Sequence, residues 1–254
     1  MLPTVTSDTT QIVLLLALLA GLLVFVEYKA SSPSILEFRF AAPYNRIRFS
    51  CVALAVFTLS VIARGMTDPG SWSILLTSMG RTIGSALDFP YSPVRLALLA
   101  LPSQASLEVA DLLRMAAGVC YALSLVMIFV FVAIVRILGW PVRKGAFNVW
   151  LNLPLFDPTG GGDVVQRLNR EASINVALGF LLPFLLPAAA TLAADLMDQG
   201  ATLTPQTLIW MTCVWAFLPA GMIMRGIAMH RVAELITAKR RRAYAKAESS
   251  LQTA

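Results

Sequence analysis

Residues 113–138, LRMAAGVCYALSLVMIFVFVAIVRIL, contain no charged side chain between Arg114 and Arg136. About 20 apolar residues are enough for a helix to cross roughly 30 Å of hydrocarbon. This stretch therefore predicts a membrane-spanning helix. Four other stretches are apolar over a similar length, and together the five predicted spans cover about residues 11–28, 48–66, 113–138, 173–196 and 206–226.

The composition of the whole chain agrees with membrane insertion. Hydrophobic residues make up 57% of the 254 residues, and charged residues make up 13%. Soluble domains contain about 25% charged residues, so this chain has too few charges to cover a soluble fold of its size. The predicted fold class is an all-α integral membrane protein. We expect a single transmembrane domain over residues 1–238 and a basic, frayed cytoplasmic tail over residues 239–254.

Positive charges fall on alternate connections between the predicted spans. The connections at about 29–47 and 139–172, and the segment after the fifth span, are rich in Lys and Arg. The first ten residues and the connection at about 197–205 have no Lys or Arg, and acidic residues outnumber basic ones at about 67–112. Because Lys and Arg are retained on the cytoplasmic side, this pattern predicts an external N-terminus and a cytoplasmic C-terminus.

The first apolar stretch could also be read as a secretory signal peptide. A signal peptide has a basic amino-terminal region, a shorter apolar core and a small-residue cleavage site. Residues 1–8 carry no positive charge, and the stretch ends in Glu27, Tyr28 and Lys29, with the aromatic and basic anchors of a membrane interface. We therefore expect an uncleaved span in a multi-pass protein of a bacterial inner membrane.

The connection between the second and third spans contains a predicted amphipathic helix. Ser71 is well placed as its N-cap, and apolar residues recur at three- and four-residue spacing as far as Leu87. This pattern indicates a helix in the interface or against the bundle. Two glycines four residues apart would admit a close helix neighbour, or would merely loosen a surface helix. The candidate partner contacts in this helix are Trp72, Met79, Gly80 and Gly84.

Two further segments are apolar but too short or too interrupted to span. Residues 94–101 are expected to be re-entrant, interfacial or packed on the bundle, and a helix from Ser103 or Ser106 then runs into the third span. Residues 147–156 form an aromatic and aliphatic segment that we expect on the cytoplasmic face of the membrane. Its candidate partner contacts are Trp150 and Phe156.

The glycines at 160–162 precede Asp163 and could be mistaken for a phosphate-binding loop. They lack both the preceding strand and the following Lys-Ser/Thr pair of such a loop. The pattern instead predicts a loop-to-helix junction, with Asp163 capping a helix that continues into the fourth span.

The predicted spans carry few groups suited to chemistry. No Asp, Glu, Lys, Arg or His lies near the centre of a span, which argues against a proton relay or a voltage sensor. His230 is the single histidine, so bis-histidine haem ligation within the chain is excluded. Cys51, Cys120 and Cys213 lie in three different spans. We predict no catalytic residue, no metal ligand and no cofactor.

Prolines interrupt the last two spans, at Pro183 and Pro187 in the fourth and at Pro219 in the fifth. Such breaks free backbone carbonyl groups, which line binding sites in some transporters. They also occur as simple packing kinks. The five unequal spans show no internal repeat of broken helices, which would be typical of those transporters.

Basic residues are concentrated after the fifth span. They flank membrane spans, so anionic headgroups are nearer partners than nucleic acid, which we do not expect to bind. Each basic residue near an anionic membrane surface contributes ~1 kcal/mol of attraction. The candidate contacts with anionic lipid are Lys239, Arg240, Arg241, Arg242 and Lys246.

These patterns favour a non-catalytic subunit, or an assembly or stabilising factor, of a larger membrane complex whose other subunits are its partners. One alternative is a transporter or channel component that uses the kinked fourth and fifth spans. A second is an enzyme acting on lipid at the interface. Its site would use an outer loop or an inner loop, with candidates Arg81, Asp88, Tyr91 and Arg95 or Asp157, Asp163, Arg167 and Arg170.

Overall fold

The computed structural model describes residues 7–32, 34–102, 105–141, 147–157, 161–197 and 204–252. Its regular elements in these ranges are all helices, which confirms the predicted all-α class. They are α1 (Ser7–Lys29), α2 (Tyr44–Gly65), α3 (Ser71–Leu87), α4 (Pro93–Leu99), α5 (Leu107–Ile137), α6 (Val149–Asn152), α7 (Val164–Met197) and α8 (Pro205–Gln252).

Four stretches of the described helices are long and apolar enough to cross a membrane: Tyr44–Gly65, Leu107–Ile137, Val164–Leu192 and Pro205–Ser249. Each of these stretches contains all or most of one predicted span, from the second to the fifth. They make the chain a multi-pass membrane protein. Helix α1 coincides with the first predicted span but is not among these four.

The bundle is built around α8. This helix packs most extensively against α7, and it also contacts α5 and α2. Helix α3 packs against α5 and α2, while the short α4 lies between α5 and α7. The side chains at the centre of the bundle are large, apolar and fully buried; they include Leu59, Met127, Phe131, Met224 and Met229.

Helix α1 stands apart from this bundle. Among the described helices, none packs against α1. Its leucines from Leu14 to Leu23 have exposed fractions between 48% and 67%. Its apolar surface is therefore left for lipid or for another protein.

The end of α1 is nevertheless held firmly, in what we call the Glu27 clamp. The carboxylate of Glu27 accepts backbone N–H groups from Ser34, Ile35 and Leu36 at 3.0–3.1 Å. Arg39 donates to two backbone carbonyl groups at the end of α1. Because this clamp joins the helix end to the connection that follows, it restricts the direction in which α1 leaves the bundle.

The helix starts follow local capping chemistry. Ser106 caps α5 by accepting the N–H of Val109, and Asp163 caps α7 by accepting the N–H of Val165, as predicted. The prediction for α3 was wrong by one residue: Gly70 is the N-cap, since its N–H and carbonyl both bond to the Ser73 hydroxyl.

The predicted basic tail is an extension of α8. The helix continues to Gln252, so residues 239–252 are helical where the sequence pattern predicts a frayed tail over residues 239–254. Residues 253–254 lie outside the described residues.

Candidate functional site

One end of the bundle, where α2 begins and α5 ends, brings together the basic connections; we call it the basic end. A cluster of rings fills its interior. The Phe38 ring lies 4.6 Å from that of Tyr44 and 5.5 Å from that of Trp140. Phe131 packs edge-on against Tyr44 and Trp140. Phe38 has a positive φ of 53°, a conformation costly for a bulky residue, so this packing holds strained backbone in place.

Hydrogen bonds join the two basic connections into one packed layer. The indole N–H of Trp140 donates to the carbonyl of Ala41 at 3.0 Å. Asn152, in α6, accepts the Phe38 N–H on its backbone carbonyl and the Phe40 N–H on its side chain, at 2.6 and 3.1 Å. The predicted contact residue Phe156 is buried in this part of the core. The described residues of these two connections are therefore held in place by packing and hydrogen bonds.

A buried ion pair lies directly beside the ring cluster. Arg225 of α8 donates two hydrogen bonds to the Glu37 carboxylate, from Nε at 2.7 Å and from Nη2 at 2.9 Å. The Glu171 carboxylate of α7 lies 3.7 Å from Arg225. We call these three residues the Glu37 cluster. Paired geometry of this kind is the strongest form of carboxylate–guanidinium contact, and buried ions in membrane proteins are commonly functional.

A second arginine, Arg48 of α2, packs against α8. The Arg48 guanidinium lies over the Tyr44 ring, 5.6 Å from its centroid. A Cβ at Gly221 would lie 3.3 Å from this guanidinium, so the glycine leaves room for it beside α8. The Glu37 cluster ties α7, α8 and the first connection together, and both of its carboxylates lie within 4 Å of Arg225.

The opposite end of the bundle has a different ion network, and we call it the Asp88 end. Asp88 contacts Arg95 at 2.7 Å and Arg114 at 3.0 Å. Asp111 contacts Arg81 at 3.1 Å and Arg114 at 3.7 Å. This network joins α3, α4 and α5. Of the four outer-loop residues considered for lipid chemistry, Asp88 and Arg95 are paired with each other and Arg81 is paired with Asp111.

The two predicted glycine contacts of α3 are occupied within the chain. A Cβ at Gly84 would lie 2.7 Å from the carbonyl oxygen of Arg114 in α5. A Cβ at Gly118 would lie 2.5 Å from the Cα of Gly84, and one at Gly80 would lie 3.5 Å from Met115. The glycines thus allow α3 to approach α5 closely.

The other predicted partner contacts lie in different surroundings. The side chains of Trp72 and Met79 are exposed, with Trp72 at 75%. The backbone of Trp150 belongs to α6, but its side chain lies outside the described residues. Among the predicted contacts whose side chains are described, Trp72 and Met79 are exposed whereas Phe156 is buried, so these do not form one surface patch.

The predicted kink residues serve helix packing. Pro183 and Pro187 lie inside α7, and Pro219 lies inside α8. Because Pro187 has no N–H, the Pro183 carbonyl lacks its usual helical donor. The indole N–H of Trp215 in α8 donates to this carbonyl at 3.0 Å. The freed carbonyl therefore strengthens the α7–α8 contact.

The predicted lipid-contact residues lie on the exposed extension of α8. Arg240 is paired there with Asp163, at 2.8 Å. The Arg240 hydrogen bond, followed by the Val165 N–H, holds the pKa of Asp163 below its ordinary value of 3.8. This pair connects the start of α7 to the α8 extension.

Sequence reasoning missed the Glu37 cluster. One signal was present: Glu37 lies between Leu36 and Phe38 in a connection, and Arg225 lies close to the apolar residues of the fifth span. A charge surrounded by large apolar residues suggests burial with a partner. Nothing local identifies that partner, since Glu37 and Arg225 are 188 residues apart.

Comparison with protein-family models, curated proteins and solved structures gives no match. Among the described residues, no group of three or more His, Cys, Asp and Glu side chains is placed to hold a metal ion. Any functional assignment therefore rests on the geometry of this chain itself.

Proposed function

We propose that the protein is a non-catalytic subunit, or an assembly or stabilising factor, of a larger complex in a bacterial inner membrane. We further propose five spans, with the N-terminus outside and the C-terminus in the cytoplasm. The observation that carries the proposal is α1, an apolar helix of 23 residues that is clamped at one end and packs against no described helix of its own chain.

The position of α1 is hard to explain by the needs of the bundle alone. Four other helices are already long and apolar enough to anchor the chain. A further lipid anchor would add little and would gain nothing from a fixed direction. The Glu27 clamp restricts that direction, which favours a helix held in place for a protein neighbour.

The composition of α1 suits a transmembrane helix as that neighbour. Helices in lipid associate closely where small residues let their backbones approach. Ala17 and Gly21 are four residues apart on α1, and beyond the adjoining turns of α1 itself no described atom lies within 4 Å of a Cβ built at Gly21. A partner helix packed at Gly21 would cover this side of α1.

The remaining features favour a structural role over the alternatives. Both carboxylates of the Glu37 cluster pair with the Arg225 guanidinium. Such pairing is better suited to holding segments of the chain together than to proton transfer. The Pro183 carbonyl is bonded to Trp215, so it is unavailable as a ligand for a transported solute. Neither observation supports lipid chemistry or transport as strongly as α1 supports a partner.

The test is purification of the tagged full chain from its native membrane in mild detergent, with mass analysis of the intact assembly. We expect a stoichiometric membrane partner for the unchanged chain, and loss of that partner in Gly21→Leu, because the added side chain blocks close approach. Leu22→Phe is the matched control, since it adds bulk on an adjacent face of α1, and it should retain the partner.

The outcome is interpretable because Gly21→Leu touches nothing in its own chain and should leave thermal unfolding unchanged. A chain that purifies alone, or a partner retained equally by both variants, would contradict the role of α1. Orientation has its own test: reporter fusions after Thr10, Leu101 and Gly200 should report outside, and fusions after Arg46, Thr159 and Ala254 should report inside. One clear reversal would refute the five-span arrangement.

A further inference from the structure

A groove of about 910 Å³ opens at the basic end between α5, α7 and α8. We call it the basic groove. Its polar lining comes from all three helices, and four of its eight polar residues are arginines. The charged or polar residues that matter here are Arg136, Asn169, His230, Arg231, Arg241 and Arg242.

Some of these groups are already engaged within the chain. Arg231 donates to Glu234, also in the groove, and to the carbonyl of Trp140, at 2.8 and 3.1 Å. His230 and Asn169 share a hydrogen bond of 3.0 Å. These contacts neutralise Glu234, so the acidic residue of the groove does not oppose the remaining arginines.

Three arginines of the basic groove remain available. No described residue forms a hydrogen bond or ion pair with Arg136, Arg241 or Arg242, and all three are exposed. Arg136 belongs to α5, whereas the other two belong to the α8 extension. Guanidinium groups that converge from two helices on one groove are suited to a phosphate, which they can bind through paired hydrogen bonds.

The groove also has an apolar wall. Val135, Ile227 and Ala233 line it together with the cationic groups. Arg136 marks the point where the apolar stretch of α5 ends, so the groove crosses the boundary between apolar and charged surface. A ligand with both a phosphate and a hydrocarbon chain would satisfy both parts, whereas a soluble phosphate would satisfy only one.

We propose that the basic groove is a selective site for an anionic phospholipid. The phosphate contacts Arg136, Arg241 and Arg242, and the first part of an acyl chain lies against Val135 and Ile227. Basic pockets between membrane helices are a known setting for such headgroups. The site is independent of the proposed partner of α1, because it lies on other helices.

This site differs from general attraction between a basic tail and a membrane. Only Arg241 and Arg242 of the five predicted lipid contacts line the groove, while Lys239, Arg240 and Lys246 do not. If lipid were attracted only by the overall charge of the tail, each of these basic residues would contribute equally to lipid binding and Arg136 would contribute nothing. The groove requires Arg136, which is distant from the tail in the sequence.

The experiment is native mass spectrometry of the full chain in detergent, titrated with phosphatidylglycerol, to obtain the Kd of the first bound lipid. We expect Arg136→Gln to raise this Kd about fivefold, and Arg241→Gln with Arg242→Gln to raise it about 25-fold, at ~1 kcal/mol for each basic residue. Lys239→Gln with Lys246→Gln is the matched control, with the same charge loss on the same helix. It should change the Kd less than twofold.

Three results would overturn the site. The first is an equal loss of lipid affinity in both double variants with no loss in Arg136→Gln. The second is equal affinity for phosphatidylcholine. The third is displacement of the lipid by inorganic phosphate at concentrations comparable to that of the lipid. The last would identify a soluble phosphate compound as the ligand. Arg136→Lys guards against misfolding, since it preserves the charge and should preserve most of the binding.

Discussion

The two ends of the bundle each contain a carboxylate that is 9% exposed, but the arginines around it differ. At the basic end, Glu37 faces Arg225, whose side chain is 19% exposed. At the Asp88 end, Asp88 faces Arg95 and Arg114, whose side chains are 42% and 35% exposed. An exposed arginine can turn to water when its carboxylate is removed. Arg225 has less access to water, so similar ion pairs are expected to contribute differently to stability.

The ends also differ in how their helices are brought together. At the basic end, ions and rings from distant segments form the contacts between helices, with Phe38 at the centre of the rings. Towards the Asp88 end, the α3 and α5 backbones meet directly at Gly84 and Gly118. The first arrangement depends on partnered charge, whereas the second depends on the absence of a side chain. Substitutions at the two ends can therefore distinguish these two arrangements by their effects on stability.

The largest expected effect is that of Glu37→Gln. This change keeps the shape of the side chain but leaves Arg225 buried beside Glu171, which lies 3.7 Å away and compensates only in part. Breaking a buried ion pair on one side costs about 3–5 kcal/mol, and we expect about 3 kcal/mol here. The measurement is the free energy of unfolding by SDS titration in mixed micelles.

Two further variants make this comparison sharper. Asp88→Asn should cost only about 1 kcal/mol, because its arginines are more exposed to water than Arg225 is. The double variant Glu37→Gln with Arg225→Gln should be more stable than Glu37→Gln alone, since the charge left without a partner is then that of Glu171, whose side chain is 33% exposed, and not that of the less exposed Arg225. Equal losses of unfolding free energy for Glu37→Gln and Asp88→Asn would mean that burial of the arginine does not determine how much an ion pair contributes to stability.

An intermediate effect is expected from Gly118→Ala. The new Cβ would lie 2.5 Å from the Cα of Gly84, and this neighbour is backbone that cannot rotate away. Overpacking of this kind costs about 1–3 kcal/mol. Gly21→Ala is the control within the same chain, since a Cβ there has no neighbour within 4 Å. In the same SDS titration, it should leave stability unchanged or slightly raise it, because alanine favours helix.

The smallest effect concerns the exposed ion pair of the basic end, Asp163 with Arg240. The pKa of Asp163 is lower in the folded chain than its ordinary value of 3.8. Its stabilising contribution is therefore complete above about pH 4 and is lost as the pH falls through the folded pKa. We expect the difference in unfolding free energy between the unchanged chain and Asp163→Asn to shrink as the pH is lowered from 6 to 3.

This prediction isolates one group, because other carboxylates titrate in both chains. An energy difference that stays constant over the range would show that the pair contributes nothing to the pH dependence. A difference that grows on acidification would reverse the expected sign. Either result would restrict the stabilising role of ions at the basic end to the buried Glu37 cluster.

Much of the helical architecture could be read from local sequence. Apolar length predicts which stretches can cross a membrane, and all four spanning helices follow it. The caps at Ser106 and Asp163 depend on side chains two or three residues from the groups they bond. The wrong prediction of Ser71 as the N-cap also concerns contacts over a few residues, because the Ser73 hydroxyl bonds to Gly70 and makes Gly70 the N-cap.

The sequence by itself determined the membrane class, the helices and the distribution of charge, since these follow from neighbours along the chain. Only the tertiary structure paired Glu37 with Arg225, set Trp215 on the Pro183 carbonyl and collected Arg136 with the α8 arginines in one groove. Each of these contacts joins residues on different segments. Their formation depends on where the helices lie relative to one another, and no local pattern of apolar and polar residues specifies that position.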